Sequence, residues 1–153
     1  MLDSVQASVI MPLTNMLAQV SGALMTMWDS DVMTYGRVIQ SKASGFGVSI
    51  EAGCNGVEAA IILIAGIVAF PAPWRYKVAG IVIGIAAVQG ANLLRIISLY
   101  YLGKWNTAVF DFAHLYLWQA LIMLDVLIVW LLWTRAVSRE SMRNTPPPSH
   151  AVA

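Results

Sequence analysis

Residues 78–102 and 112–134 are two long apolar runs, and residues 55–70 form a shorter third that stops at the prolines of PAPW. An α-helix needs roughly 17–25 apolar residues to cross a bilayer, and the run at 55–70 lies at the short limit. Inside hydrocarbon every backbone polar group must find its partner within the segment, which favours helices. The sequence therefore predicts an all-α fold: an integral membrane helical bundle with three strong transmembrane helices, plus an N-terminal amphipathic or fourth helix. Composition agrees, with 59% hydrophobic and 11% charged residues and a mean hydropathy of +0.71. A formal net charge of +1 gives no basic field that would attract nucleic acid.

Residues 5–28 are apolar with interspersed Gln, Ser, Asn and Thr. Helical spacing puts Val9, Leu13, Met16, Leu17, Val20 and Leu24 on one face, which predicts an amphipathic helix in the interface or packed on the bundle. A polar membrane span is the alternative. The start, MLDSVQASVIMPL, lacks the basic n-region of a secretory signal, so no cleaved peptide is expected. Residues 29–53 carry Asp29, Asp31, Arg37, Lys42 and Glu51, and IQSKASGFGVSIEAG predicts short strands or turns outside the bilayer. Residues 1–135 are expected to form one membrane domain and 136–153, which end rich in proline, a disordered cytoplasmic tail.

Arg75 and Lys77 lie between the first two strong runs, and Arg135, Arg139 and Arg143 follow the last. A three-span topology places both groups on one side, and the positive-inside rule makes that side cytoplasmic. The segment around Cys54 then faces outward. Trp74 and Trp133 are expected near the inner interface, Trp105 and Trp118 near the outer one.

Depth along the runs brings three polar residues to one level. Cys54 lies about 24 Å from the inner end of its run at Phe70, at 1.5 Å per residue. Arg95 lies about 26 Å from Val78, and His114 about 30 Å from Thr134. Against a hydrocarbon core of about 30 Å, all three fall near its outer edge, each on a different run. Taken singly, each has a plain explanation: a cysteine as small apolar filler, an arginine snorkelling to the headgroups, a histidine facing the interface. Arg95 is nonetheless followed by IISLYYLG within its run, and an ionisable residue at that depth usually faces protein or a water-filled cavity.

Together the three form a coherent chemical set. A thiolate is a strong nucleophile, and the turn GCNG is expected to place Cys54 in the first turn of its helix, where the dipole lowers its pKa. His114 could take the thiol proton and return it to a leaving amine. The guanidinium of Arg95 could stabilise an oxyanion or hold a carboxylate. Glu58, four residues after Cys54, could pair with Arg95, orient His114 or serve a structural ion pair. Asn92, three before Arg95, is placed to hydrogen-bond across the bundle. Gly80 and Gly84 read as small residues for close helix packing, and Gln89 and Gln119 are expected to face protein. One cysteine and two histidines, His150 among them in the tail, are too few for a metal site, and no cofactor is expected.

The ordered motifs GCNGVEA, NLLRIISLYYLG and FAHLYLWQ resemble the exosortase/archaeosortase family of membrane cysteine transpeptidases, most closely the exosortase H branch. The likeness covers about residues 45–135. Members usually carry a further hydrophobic span ahead of the segment matching residues 5–28. The resemblance implies a multi-pass enzyme of the bacterial inner membrane with its active site facing the periplasm. Its partners would be exported proteins whose C-terminal sorting signal comprises a short motif, a transmembrane helix and a basic end, together with an acceptor nucleophile. By position, Cys54 would be the nucleophile, Arg95 the stabilising arginine and His114 the base. From the residues alone two rivals stand: a non-enzymatic small multispan assembly or transport subunit, and a cysteine protease that transfers the acyl group to water.

Overall fold

The structure is a computed structural model and describes residues 2–51 and 54–145. Among these residues there are four helices and one small sheet. Helix α1 is continuous through Leu2–Val5, Gln6–Ile10 and Met11–Thr26, its middle section wound as π-helix. Helix α2 spans Val57–Ala69 and α3 spans Trp74–Trp105. Helix α4 is continuous through Thr107–Phe112, the π-helical Ala113–Leu117 and Trp118–Asn144. Strands β1 (Val32–Tyr35), β2 (Val38–Ser41) and β3 (Gly47–Ser49) form an antiparallel sheet in the order β1-β2-β3, between α1 and α2 in the chain.

The chain is a multi-pass membrane protein by the length and composition of its helices. Ala7–Thr26, Trp74–Trp105 and Thr107–Asn144 are each long and apolar enough to cross a bilayer. The distribution differs from the sequence expectation. The N-terminal helix is among the three, whereas Val57–Ala69 has 13 residues, about 20 Å against a core of about 30 Å. Its shortness has a local cause at each end. Gly56 sits at φ 73°, outside the right-handed helical region, and Phe70 is extended ahead of Pro71 and Pro73. The last helix runs on to Asn144, into the segment expected to be a disordered tail; residues 146–153 of that segment lie outside the described residues.

The protein-facing side of α1 is also not the one its apolar periodicity suggested. Val9, Met16, Val20 and Leu24 are exposed, while Thr14, Leu17, Ala18, Ser21, Gly22 and Met25 are buried. In lipid, large apolar residues gain nothing by leaving the tails, and small residues let helix and sheet approach closely. Gly22 shows the effect: a Cβ there would lie 2.2 Å from Thr34 Cγ2.

Two apolar clusters hold the elements. One joins α1, the sheet and the C-terminal half of α3, through Leu17, Met25, Val32, Ile39, Ile50 and Tyr100. Where such side chains leave water, as in the sheet, each contributes about 1.5–3 kcal/mol. The other joins α2, α3 and α4 through Ala59, Leu63, Ile67, Val88, Ile122 and Val126. At membrane depth that cluster is held by close packing. Gly80 lies under the Trp133 ring, Gly84 under Leu63 and Gly66 under Trp130. Trp133 Nε1 donates to the Tyr76 carbonyl at 2.9 Å, tying the start of α3 to the later part of α4.

Asp31 fixes the sheet to α3. Its carboxylate accepts from Ser41 Oγ, from the Ala43 N–H at 2.7 Å and from Lys104 Nζ at 3.1 Å. The Ser41 hydroxyl, then Lys104, hold its carboxyl below the usual carboxylate range. Phe46 packs against Tyr100 and Phe110 and fills the space over Gly103. The strand that follows, β3, is thereby set against the C-terminal end of α3 and the N-terminal end of α4.

Candidate active site

Cys54 stands in a turn just ahead of α2, not in its first helical turn as GCNG suggested. Its N–H donates to the Glu51 carbonyl at 3.0 Å. Asn55 follows, its Oδ1 accepting the Val57 N–H at 3.2 Å. Gly56, left-handed, then turns the chain into the helix. A side chain at Gly56 would be strained by that φ, and its Cβ would lie 3.3 Å from both Asn92 Nδ2 and Gln89 Nε2. The asparagine and the glycine of the turn therefore each have a distinct job, helix-start acceptor and left-handed pivot, and the cysteine side chain is left to face the neighbouring helices.

The other two groups come from α3 and α4. Arg95 is 4% exposed and donates from Nη2 to Cys54 Sγ at 3.6 Å. Its Nε has no hydrogen-bond partner among the described residues. His114 lies in the π-helical turn of α4, and its Nε2 is 3.0 Å from Cys54 Sγ. Single π-turns inside α-helices often occur at functional sites because they re-aim one side chain. The imidazole stacks flat on Phe110, with centroids 5.7 Å apart and planes 3° from parallel. Thiol, guanidinium and imidazole, from three separate elements, thus meet at one sulfur.

The sulfur opens onto a cavity of about 180 Å³ whose wall includes β3, Arg95, Ile96, Leu99, Phe110 and His114. Cys54 lies outside the membrane-spanning helices, and burial pushes its thiol above the ordinary cysteine value; the Arg95 charge pulls it part of the way back. The lowered pKa expected from a helix dipole is therefore corrected in sign, because the turn precedes the helix and buries the sulfur. A thiol of this kind needs a base at hand, and His114 is within hydrogen-bond reach.

Glu58 is exposed and forms no salt bridge with Arg95 or His114 among the described residues. The spacing argument assumed that residues 54 and 58 share a helix, and the helix begins only at Val57. Asn92 is fully buried and packs on the Cys54–Gly56 turn, with neither side-chain atom hydrogen-bonded among the described residues. Gln89 faces protein as expected, its Nε2 3.5 Å from the Asn55 carbonyl. Gln119 is exposed, unlike the expectation. Phe110 was not singled out from the sequence; its four-residue spacing from His114 on one helix is the signal that finds it.

Compared with known families, residues 2–131 match the family described as transmembrane exosortase. No curated protein and no solved structure matches the chain.

Proposed function

The chain belongs to the transmembrane exosortase family, and on that premise we propose that it is a membrane cysteine transpeptidase. It cleaves exported proteins near a C-terminal sorting signal on the periplasmic side of the bacterial inner membrane, then passes the acyl group to an acceptor nucleophile. The observation that carries this reading is the placement of His114 Nε2 at 3.0 Å and Arg95 Nη2 at 3.6 Å from the same sulfur. On the reading of a non-enzymatic bundle that convergence is left as coincidence.

The chemistry follows from the geometry. His114 takes the thiol proton as Cys54 Sγ attacks the scissile carbonyl carbon. Charge develops on the carbonyl oxygen, and Arg95 is the fixed cation beside it. The C–N bond then breaks, the amine leaves with the proton held by His114, and an acyl thioester remains on Cys54. An acceptor amine or hydroxyl gives its proton to His114, attacks the thioester and releases the thiol. General acid–base help of this sort is worth about 10²–10⁴ in rate, and a stabilising donor about 10²–10³.

The substrate's own membrane helix packs laterally on the bundle. An apolar groove of about 260 Å³ between α2 and α4, lined by Ile62, Gly66, Met123 and Trp130, is the candidate surface. The outward orientation rests on Arg75, Lys77, Arg135, Arg139 and Arg143 at the opposite end.

The test is processing in cells. Cys54→Ala is expected to leave the precursor uncut while the membrane protein accumulates to its normal level. Normal cleavage by that variant overturns the assignment of the nucleophile.

A further inference from the structure

The strand beside the sulfur carries an open edge. Strand β3 pairs with β2 in the register Val38↔Ser49, Ile39↔Val48, Gln40↔Gly47. On the same register, the Ser41 N–H donates to the Phe46 carbonyl at 2.8 Å and the Ile50 N–H to the Arg37 carbonyl at 2.9 Å. Hydrogen-bonded and non-bonded pairs alternate in an antiparallel ladder. Phe46, Val48 and Ile50 therefore spend their backbone groups on β2. Gly47 and Ser49 direct theirs the other way, to an edge that pairs with no strand among the described residues.

That edge lines the reaction cavity. Gly47, Ser49, Cys54, Arg95 and His114 all border the same space of about 180 Å³. Gly47 has no side chain to obstruct it, and Ser49 turns its hydroxyl aside to Glu51 Oε1 at 2.9 Å. The strand is held in place from behind by Phe46 against Tyr100 and Phe110. An open edge next to a nucleophile is an arrangement that binds an extended chain by strand addition.

We propose that the polypeptide substrate binds in extended form as a fourth strand on β3, hydrogen-bonding to the backbone of Gly47 and Ser49, so that its scissile carbonyl is delivered to Cys54 between His114 and Arg95. The occupant is the extended segment that precedes the substrate's membrane helix. This rests on the reading of Cys54 as the nucleophile. Strand addition recognises backbone, so the edge fixes position and register, and the apolar wall of Ile96, Leu99 and Phe110 selects the side chain beside the scissile bond.

The experiment uses the purified full chain in detergent micelles and reads modification of Cys54 by mass spectrometry. Iodoacetamide reports the reactivity of the thiol itself. The peptide chloromethyl ketone acetyl-Ala-Ala-Val-Ala-CH2Cl reports delivery along the edge; the sulfur displaces chloride and the thiol proton passes to His114. Two further probes carry an N-methyl group at the second or at the third residue from the chloromethyl ketone. A strand alternates its N–H groups, so one N-methyl probe is expected to react at about the parent rate and the other at least about fivefold slower, the loss that one hydrogen bond of ordinary net strength brings. Ser49→Pro removes the outward N–H without touching the ladder to β2, and edge strands tolerate proline. It is expected to slow the parent peptide by a similar factor, with iodoacetamide unaffected, while Ser49→Ala matches the unmodified protein.

Equal rates for both N-methyl probes and the parent overturn the proposal, as does a folded Ser49→Pro that keeps the parent rate. If Ser49→Pro does not fold, the pair of N-methyl probes on the unmodified protein decides alone. A Cys54 that reacts with neither reagent overturns the nucleophile reading and this proposal with it; one that takes iodoacetamide normally but shows no alternation overturns the strand alone.

Discussion

A half-buried thiol with an arginine against it sits between two opposing pulls. Burial favours the neutral sulfhydryl, and the Arg95 charge favours the thiolate. The sign for pH follows. A thiol raised above its ordinary value is protonated at neutral pH, and the thiolate fraction climbs about tenfold per pH unit until that value is passed. Iodoacetamide alkylation of Cys54 is therefore expected to keep rising through pH 8.5, with no plateau there. Replacement of Arg95 by Gln removes the charge that holds the thiol down and is expected to move the profile further up. A plateau near pH 7 in the unmodified protein contradicts this account of the sulfur. Arg95→Lys keeps the charge but loses the fork, and a drop in precursor processing of about 10²-fold or more is expected. The convergence of Cys54, Arg95 and His114 was legible from sequence because depth can be counted along a helix whatever face it turns. Glu58 was not, because its spacing argument needed a helix already running at Cys54.

Element boundaries were legible where punctuation is covalent. Pro71 and Pro73 close α2, and Gly56 opens it at φ 73°. Gly56→Ala is expected to cost about 1–2 kcal/mol of stability, through left-handed strain and contact with Asn92 and Gln89. It is also expected to displace the sulfur from His114, so iodoacetamide labelling should change along with the melting temperature; a stable variant with unaltered labelling contradicts the pivot role. Gly80→Ala tests packing alone. Its Cβ would lie 2.2 Å from Trp133 Nε1, and about 1–3 kcal/mol of destabilisation is expected. The face of α1 was illegible for a different reason. Apolar periodicity marks the buried side when the solvent is water, and in lipid the small, polar side made of Thr14, Ser21 and Gly22 is the one that packs. Short strand or turn structure could be anticipated at 39–53, but β1 at Val32–Tyr35 was not, and the open edge of β3 depends on pairing partners that spacing does not disclose.

At the scale of the whole molecule, the sheet clamps one end of the bundle, and Asp31 is its principal tie. Its carboxyl is held below the usual range by Ser41 and Lys104. A folded pKa below the unfolded one means that the contribution to stability is present above the ordinary carboxylate range and is lost as pH falls through the folded value. Melting temperature in detergent is expected to fall on acidification, and Asp31→Asn to flatten that part of the profile; an unaltered slope contradicts the tie. The clamp sets β3, α3 and α4 around one sulfur, and the whole functional account depends on that sulfur accepting an acyl group. The direct measurement is intact-mass analysis of the purified protein incubated with a sorting segment that carries motif, membrane helix and basic end, and then quenched in acid. The account predicts an acyl adduct on Cys54 equal in mass to the upstream fragment less one water, depleted in His114→Gln and released by hydroxylamine. Cleavage of the segment with no adduct on Cys54, or an equal yield from Cys54→Ala, contradicts it.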